Sequence, residues 1–158
     1  LQHEMLGHQR VLRDLQSFFA GSEHIGHDEF AVFSTAALRH CESASLYGVL
    51  YIERVADHDL PAFLEETRRE GMHLRLHGLP GQGPLSEHRI VKYIEPEAVN
   101  AAALGFDAAT RPASVEAMDA SSAADEPIAS APLRIVHEPS DSESVVVYLA
   151  DYRRGVPP

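Results

Sequence analysis

The chain has 158 residues, enough for one domain with its own hydrophobic core or for two small units that share an interface. Its formal net charge of −11 argues against nucleic acid and against anionic lipid as partners, since both attract Lys and Arg. Cys41 is the only cysteine, which excludes an internal disulfide and a thiolate zinc site. The sequence contains no secretory signal and no apolar run of about 18 residues.

The first 19 residues predict a helix with one apolar stripe. The stripe follows a spacing of 4, 3, 4, 3 and 4 residues, and its members are Leu1, Met5, His8, Leu12, Leu15 and Phe19. Such a heptad pattern is typical of a stalk that pairs with a second subunit. It equally fits an amphipathic helix lying on its own domain, and Leu6 and Phe18, outside the stripe, are expected to pack inward.

The remaining pattern alternates short strands with short helices. Strands are predicted over 46–55, over the alternating Leu74–Leu76 segment, and over 90–95, 127–136 and 144–152, the last two as an antiparallel hairpin. Helices are predicted over 29–40 after Asp28, from Asp57 or Asp59 to Gly71, over 97–104, and from Thr110 to about Ala124. This order predicts an α+β domain built on antiparallel sheet.

Histidines raise the possibility of a metal site. The pair His3 and His8 misses the spacing of a zincin helix, and the other candidate pairs are His24 with His27 and His73 with His77. Solvent-exposed histidines are the favoured interpretation. No segment assembles a nucleophile, a base and an oxyanion hole, so the sequence favours a protein that is not an enzyme.

One set of short motifs extends from Tyr93 to the end of the chain. Its members, in order, are Tyr93-Ile94-Glu95-Pro96, Asn100, Leu104-Gly105-Phe106-Asp107, Ile128-Ala129-Ser130-Ala131-Pro132-Leu133-Arg134 and Val147-Tyr148-Leu149-Ala150-Asp151-Tyr152-Arg153-Arg154. In this order and spacing the segment resembles the CHASE domain, the extracytoplasmic sensor of many receptor kinases and nucleotide cyclases. The resemblance covers about residues 46–158, and residues 1–19 match the family's stalk helix by position.

The resemblance implies a long N-terminal stalk helix, residues 1–20, followed by tandem PAS-like units with antiparallel sheets over 21–158. The ligand-binding, membrane-distal unit would span about 45–136, and part of a membrane-proximal unit would follow. It further implies a homodimer paired along the stalk, flanking transmembrane helices, and a periplasmic location in a bacterial inner-membrane receptor. The cytoplasmic output would be a histidine kinase or a diguanylate cyclase. No cofactor is implied.

The resemblance also implies a pocket for a small organic ligand. The residues expected to form it are Tyr93, Phe106, Asp107, Ser114, Met118, Ser130, Leu133, Val136 and Tyr148. Apolar members of this set, with Ile135, suit the wall of a cavity, and the carboxylate of Asp107 is placed to accept free backbone N–H groups.

Two of these positions and one neighbouring position carry residues that differ from those of the cytokinin-binding relatives. Ser114 stands where they carry an Asp that clamps the adenine, Val115 where an Arg is frequent, and Tyr148 where they carry a small Thr. A smaller or differently shaped ligand is therefore expected. Two alternatives stay open, a His-rich metal-binding or enzymatic domain and a dimerising spacer without a ligand.

Overall fold

The computed structural model describes residues 2–41, 46–134 and 143–151, and this part of the chain is mixed α+β. Its helices are α1 (Gln2–Ala20), α2 (His27–His40), α3 (Leu60–Arg69), α4 (Glu97–Asn100) and α5 (Pro112–Ala124), with 3-10 turns at Asp57–Asp59, Ala101–Ala103 and Ala108–Thr110. Its strands are β1 (Val49–Ala56), β2 (Glu87–Glu95), β3 (Ile128–Ala129) and β4 (Val147–Tyr148). The predicted α+β class is confirmed.

Two antiparallel pairs form the sheet structure. Strand β1 pairs with β2, and β3 pairs with β4, whose hairpin is extended by a bridge between Leu133 and Ser144. The β1–β2 register shifts between Tyr51 and Ile52, which leaves Lys92 without an opposite residue, as in a β-bulge. This bulge decides which side of the sheet each neighbouring side chain faces.

The predicted strand at Leu74–Leu76 is wrong. Among the described residues this segment pairs with no strand, and next to it His77 forms a bridge to Phe106. The alternation still serves burial, because Leu74 and Leu76 pack against Val55 and Phe63. Burying one face does not require a ladder partner, so the pattern alone could not distinguish the two outcomes.

Helix α1 lies on its own domain along its C-terminal half. Val11, Leu15 and Phe19 are buried in a cluster that includes residues of α2 and both long strands. Phe18 packs inward as predicted, stacking on Phe33 with ring centroids 4.0 Å apart. The same prediction is wrong for Leu6, which is 59% exposed. The C-terminal part of the heptad stripe is therefore used within the domain.

Of three predicted helix starts, those of α2 and α5 have a different capping residue, whereas α3 follows Asp59, one of its two predicted caps. Helix α2 is capped by Gly26 instead of Asp28, because the Glu29 carboxylate accepts from the Gly26 N–H at 3.3 Å. Helix α3 follows Asp59, with Pro61 in its first turn, but the Asp59 side chain makes no cap bond. Helix α5 is capped by Arg111 and begins at Pro112, whereas Thr110 belongs to the preceding 3-10 turn.

Within the part of the chain that the structure describes, no helix combines the length and the apolarity needed to cross a bilayer.

Candidate functional site

A cleft of about 860 Å³ lies between one face of the β1–β2 sheet, helix α5, strand β4 and the inner side of α1. We call it the sheet cleft. Its apolar walls include Leu50, Ile52, Val91, Phe106, Met118 and Tyr148. Its volume falls within the range typical of small-molecule sites, and its walls are largely apolar with a few polar groups, as such sites usually are.

The bulge at Lys92 sorts the residues of β2 between this cleft and the opposite side. Val91 and Ile94 face the sheet cleft. Tyr93 faces the other side, where its ring lies 5.4 Å from Phe30 and 5.8 Å from Tyr51. Without the extra residue, strict alternation would place Tyr93 beside Val91.

The structure brings part of the expected pocket together. Phe106, Met118 and Tyr148 line the sheet cleft. Ser114 is fully buried behind Tyr148, whose hydroxyl donates to the Ser114 Oγ at 2.9 Å. The other expected members in the described residues lie away from the cleft wall: Tyr93, Asp107, Ser130 and Leu133. Val136, like Ile135, lies outside the described residues.

The Ser114–Tyr148 bond joins the first turn of α5 to β4. Burial raises the pKa of the Tyr148 phenol, while the bond to Ser114 and the nearby charge of Arg111 act in the opposite direction. The phenol therefore stays protonated near neutral pH, and its single proton is committed to Ser114. Ser114 and Tyr148, two of the three positions predicted to depart from cytokinin-binding relatives, thus form a hydrogen bond with each other.

Asp107 organises the backbone next to the cleft. Its Oδ1 accepts from the N–H groups of Arg89 at 2.9 Å and Ala109 at 3.0 Å, as predicted for a carboxylate at this turn. Its Oδ2 lies 2.7 Å from the Nδ1 of His88, whose Nε2 lies 2.9 Å from Asp57. Burial alone would lower the pKa of His88, but the hydrogen bonds to the two carboxylates outweigh it, and the pKa is raised.

Sequence reasoning missed the arginines of the cleft. Arg89 reaches Asp119 at 2.6 Å and Glu87 at 3.6 Å, so its charge is compensated. The guanidinium carbon of Arg111 lies 4.7 Å from the centre of the Phe106 ring, and burial lowers the pKa of Arg111. Nothing in the sequence marks these two arginines, because their surroundings come from segments far away along the chain.

A buried lysine was also missed. Lys92 is 3% exposed, and its ammonium lies 3.3 Å from Glu53 and 3.6 Å from Glu70. The hydroxyl of Tyr93 lies 2.9 Å from the Glu70 carboxylate, and burial raises the pKa of this phenol. A lysine inside the apolar run IVKYIE was the available signal. Lys92 and Glu53 also line a second cavity of about 370 Å³ beside residues 19–25.

One group of side chains has the ligand types of a metal site. His24, Glu66 and Glu70 each place a ligand atom within 4.8 Å of the others. The Lys92 ammonium already compensates Glu70, however, and a second cation beside it would be repelled. This arrangement fits an ion-pair network better than a metal centre.

Helix α1 contacts the far end of the cleft through two polar side chains. Gln16 donates to the Ala150 carbonyl oxygen at 2.7 Å, just after β4, and to the Asp125 carboxylate at 3.1 Å, at the end of α5. Arg13 donates to the Asp125 carbonyl oxygen at 2.9 Å. A displacement of α5 or β4 would therefore strain or break these hydrogen bonds to α1.

A comparison with models of known protein families matches residues 23–158 to the family described as CHASE domain. The comparison with curated proteins gave no match.

Proposed function

This chain belongs to the CHASE domain family, and from that premise we propose that it senses a small organic molecule bound in the sheet cleft. CHASE domains are extracytoplasmic sensor domains of membrane signalling receptors and are not catalytic. We place the chain in the periplasm as part of a bacterial inner-membrane receptor. Its output would be a histidine kinase or a diguanylate cyclase.

The observation that carries the proposal is the sheet cleft itself. Its walls come from elements that are separate in the chain, namely α1, the long strands, α5 and β4. A ligand between them would favour one arrangement of these elements over another. It shifts that equilibrium only by its difference in affinity for the two arrangements.

The route to the output would run through α1. Gln16 and Arg13 tie this helix to the ends of α5 and β4, which close the cleft. We propose that a second copy pairs along the N-terminal part of α1, where Leu6 is exposed. The C-terminal part is occupied by the domain's own core, so pairing there would compete with folding.

A thermal-shift screen tests the ligand. A metabolite present at 100 times its dissociation constant should add about 2.7 kcal/mol to the free energy of unfolding. Met118→Trp, which puts an indole into the cleft, should abolish this gain. Val99→Trp is the matched control, since Val99 is 77% exposed on α4. A screen of nucleobases, organic acids and amino acids without any hit would refute ligand sensing.

The receptor context has its own test. The gene should encode an apolar span of about 20 residues on each side of this domain. A continuation of the gene as soluble protein on both sides would refute the receptor assignment, whatever the screen finds.

A further inference from the structure

We propose that Arg111 anchors the carboxylate of the ligand, so that this domain senses a small organic anion with an apolar body. The inference rests on the proposed function and specifies its ligand class. Arg111 precedes α5, lines the sheet cleft and is partly buried there.

The charge of Arg111 is not compensated within the described residues. Within those residues its guanidinium donates one hydrogen bond, to the Arg134 carbonyl oxygen at 3.3 Å, and no carboxylate lies within ion-pair distance of it. The chain carries 24 acidic and 13 basic residues, so a partly buried arginine without an acidic partner is unexpected. Removing a cation from water without a counterion costs free energy, which an anionic ligand would offset.

The two other arginines that line the cleft behave differently. Arg54 lies 2.6 Å from Glu87, and Arg89 lies 2.6 Å from Asp119. Among the residues that the structure describes, the cleft therefore offers one uncompensated guanidinium. One such charge matches a carboxylate, whose two oxygens fit the two parallel N–H groups of a guanidinium. A phosphate dianion would leave one negative charge unmatched in the same place.

The surroundings of Arg111 define the rest of the ligand. Its guanidinium stacks on the Phe106 ring at 4.7 Å, and this ring continues into the apolar wall formed by Val91 and Met118. The Tyr148 hydroxyl donates its hydrogen bond to the Ser114 Oγ, so it has no donor left for the anion. An anionic head on Arg111 would thus be followed by an aromatic or branched apolar body.

Matched pairs of acid and amide test the anchor. The probes are benzoate, phenylacetate, 3-phenylpropionate and isovalerate, each beside its neutral amide, in thermal-shift titrations. We expect at least one acid to raise the unfolding midpoint and its amide to bind at least tenfold more weakly. Arg111→Gln should remove the preference for the acid. Arg68→Gln, which removes the same charge from an exposed position on α3, should keep it.

Each other outcome counts against the anchor. Equal binding of acid and amide, or a preference that survives Arg111→Gln, refutes the role of Arg111. If Arg111→Gln unfolds, as judged by circular dichroism without ligand, Arg111→Lys replaces it and should lower the acid-to-amide preference. If none of the four acids raises the unfolding midpoint but a neutral compound in the wider screen does, the role of Arg111 is refuted and the proposed sensor function is retained. If no compound in either screen raises the unfolding midpoint, both the role of Arg111 and the sensor function are refuted.

Discussion

Replacing Asp107 tests how the turn beside the cleft is held. Asp107 is 7% exposed, and its carboxylate contacts two backbone N–H groups and the imidazole of His88. Asp107→Ala leaves the N–H groups of Arg89 and Ala109 without their acceptor. Asp107→Asn keeps an oxygen in the same place for both of them and loses only the negative charge that faces His88.

The two substitutions should differ in size. An unsatisfied buried N–H group costs about 1–3 kcal/mol, so Asp107→Ala should lower the free energy of unfolding by about 2–6 kcal/mol. Asp107→Asn should cost about 1.5–3 kcal/mol, the range for one hydrogen bond to a charged group. The Asn cost should be larger at pH 5.5 than at pH 8.5, because a neutral imidazole can accept from the amide and a protonated one cannot.

Urea unfolding at both pH values measures these differences. Asp14→Ala is the control, since Asp14 is exposed on α1 and its loss should change the free energy of unfolding by less than about 0.5 kcal/mol. Equal losses for the Ala and Asn variants, or a loss for Asp107→Ala below that of the control, would refute the assignment of the two backbone bonds to this carboxylate.

Three further predictions concern single positions. Because the pKa of His88 is raised in the folded state, protonated His88 adds to the free energy of unfolding. This contribution is complete below pH 6.5 and disappears as the pH rises through the folded-state pKa. His88→Gln should therefore reduce the gain in stability between pH 8.5 and pH 5.5. Gly105→Ala should cost more than about 2 kcal/mol, because φ is 80° and a Cβ would overlap the Arg75 carbonyl; Gly81→Ala, at φ 88° in open space, should cost less. Lys92→Met should cost about 3–5 kcal/mol at pH 7, because it removes the buried ammonium that faces the Glu53 and Glu70 carboxylates. Urea midpoints measured across pH check the His88 result, and urea midpoints at pH 7 check the Lys92 result; a Lys92→Met loss below about 1 kcal/mol would contradict the ion-pair assignment.

Local patterns in the sequence were sufficient for most elements of the fold. Helix α1 and the strand over residues 90–95 follow from periodicity and from Pro and Gly at their ends. The predicted hairpin is found as a shorter pair, Ile128–Ala129 with Val147–Tyr148, and residues 135, 136 and 152 of its predicted strands lie outside the described residues. The starts of α2 and α5 were missed, because Asp28 and Thr110 are good capping residues whose side chains are engaged otherwise or exposed. The Thr110 hydroxyl, for example, accepts from the Leu79 N–H at 2.9 Å and donates to Asp107.

The side of the sheet on which Tyr93 lies could not be predicted from the sequence. A run of apolar residues predicts a strand with two covered faces, but one inserted residue exchanges the faces for everything beyond it. Lys92 is that residue, and its partners Glu53 and Glu70 lie on elements 39 and 22 positions away. The family resemblance placed Tyr93 among the pocket residues, and its contacts here are with the opposite cluster.

The candidate site divides in the same way. Phe106 and Tyr148 belong to motifs that a single sequence displays, Met118 lies on the helix between those motifs, and all three line the cleft. Whether the charge of Arg111 has an acidic partner depends on the whole fold, because the fold determines which carboxylates lie near it. Arg89 forms ion pairs with Asp119 and Glu87, and Arg54 forms an ion pair with Glu87. A motif can thus indicate where a sensor binds its ligand, whereas the distribution of the remaining charges decides which ligand it binds.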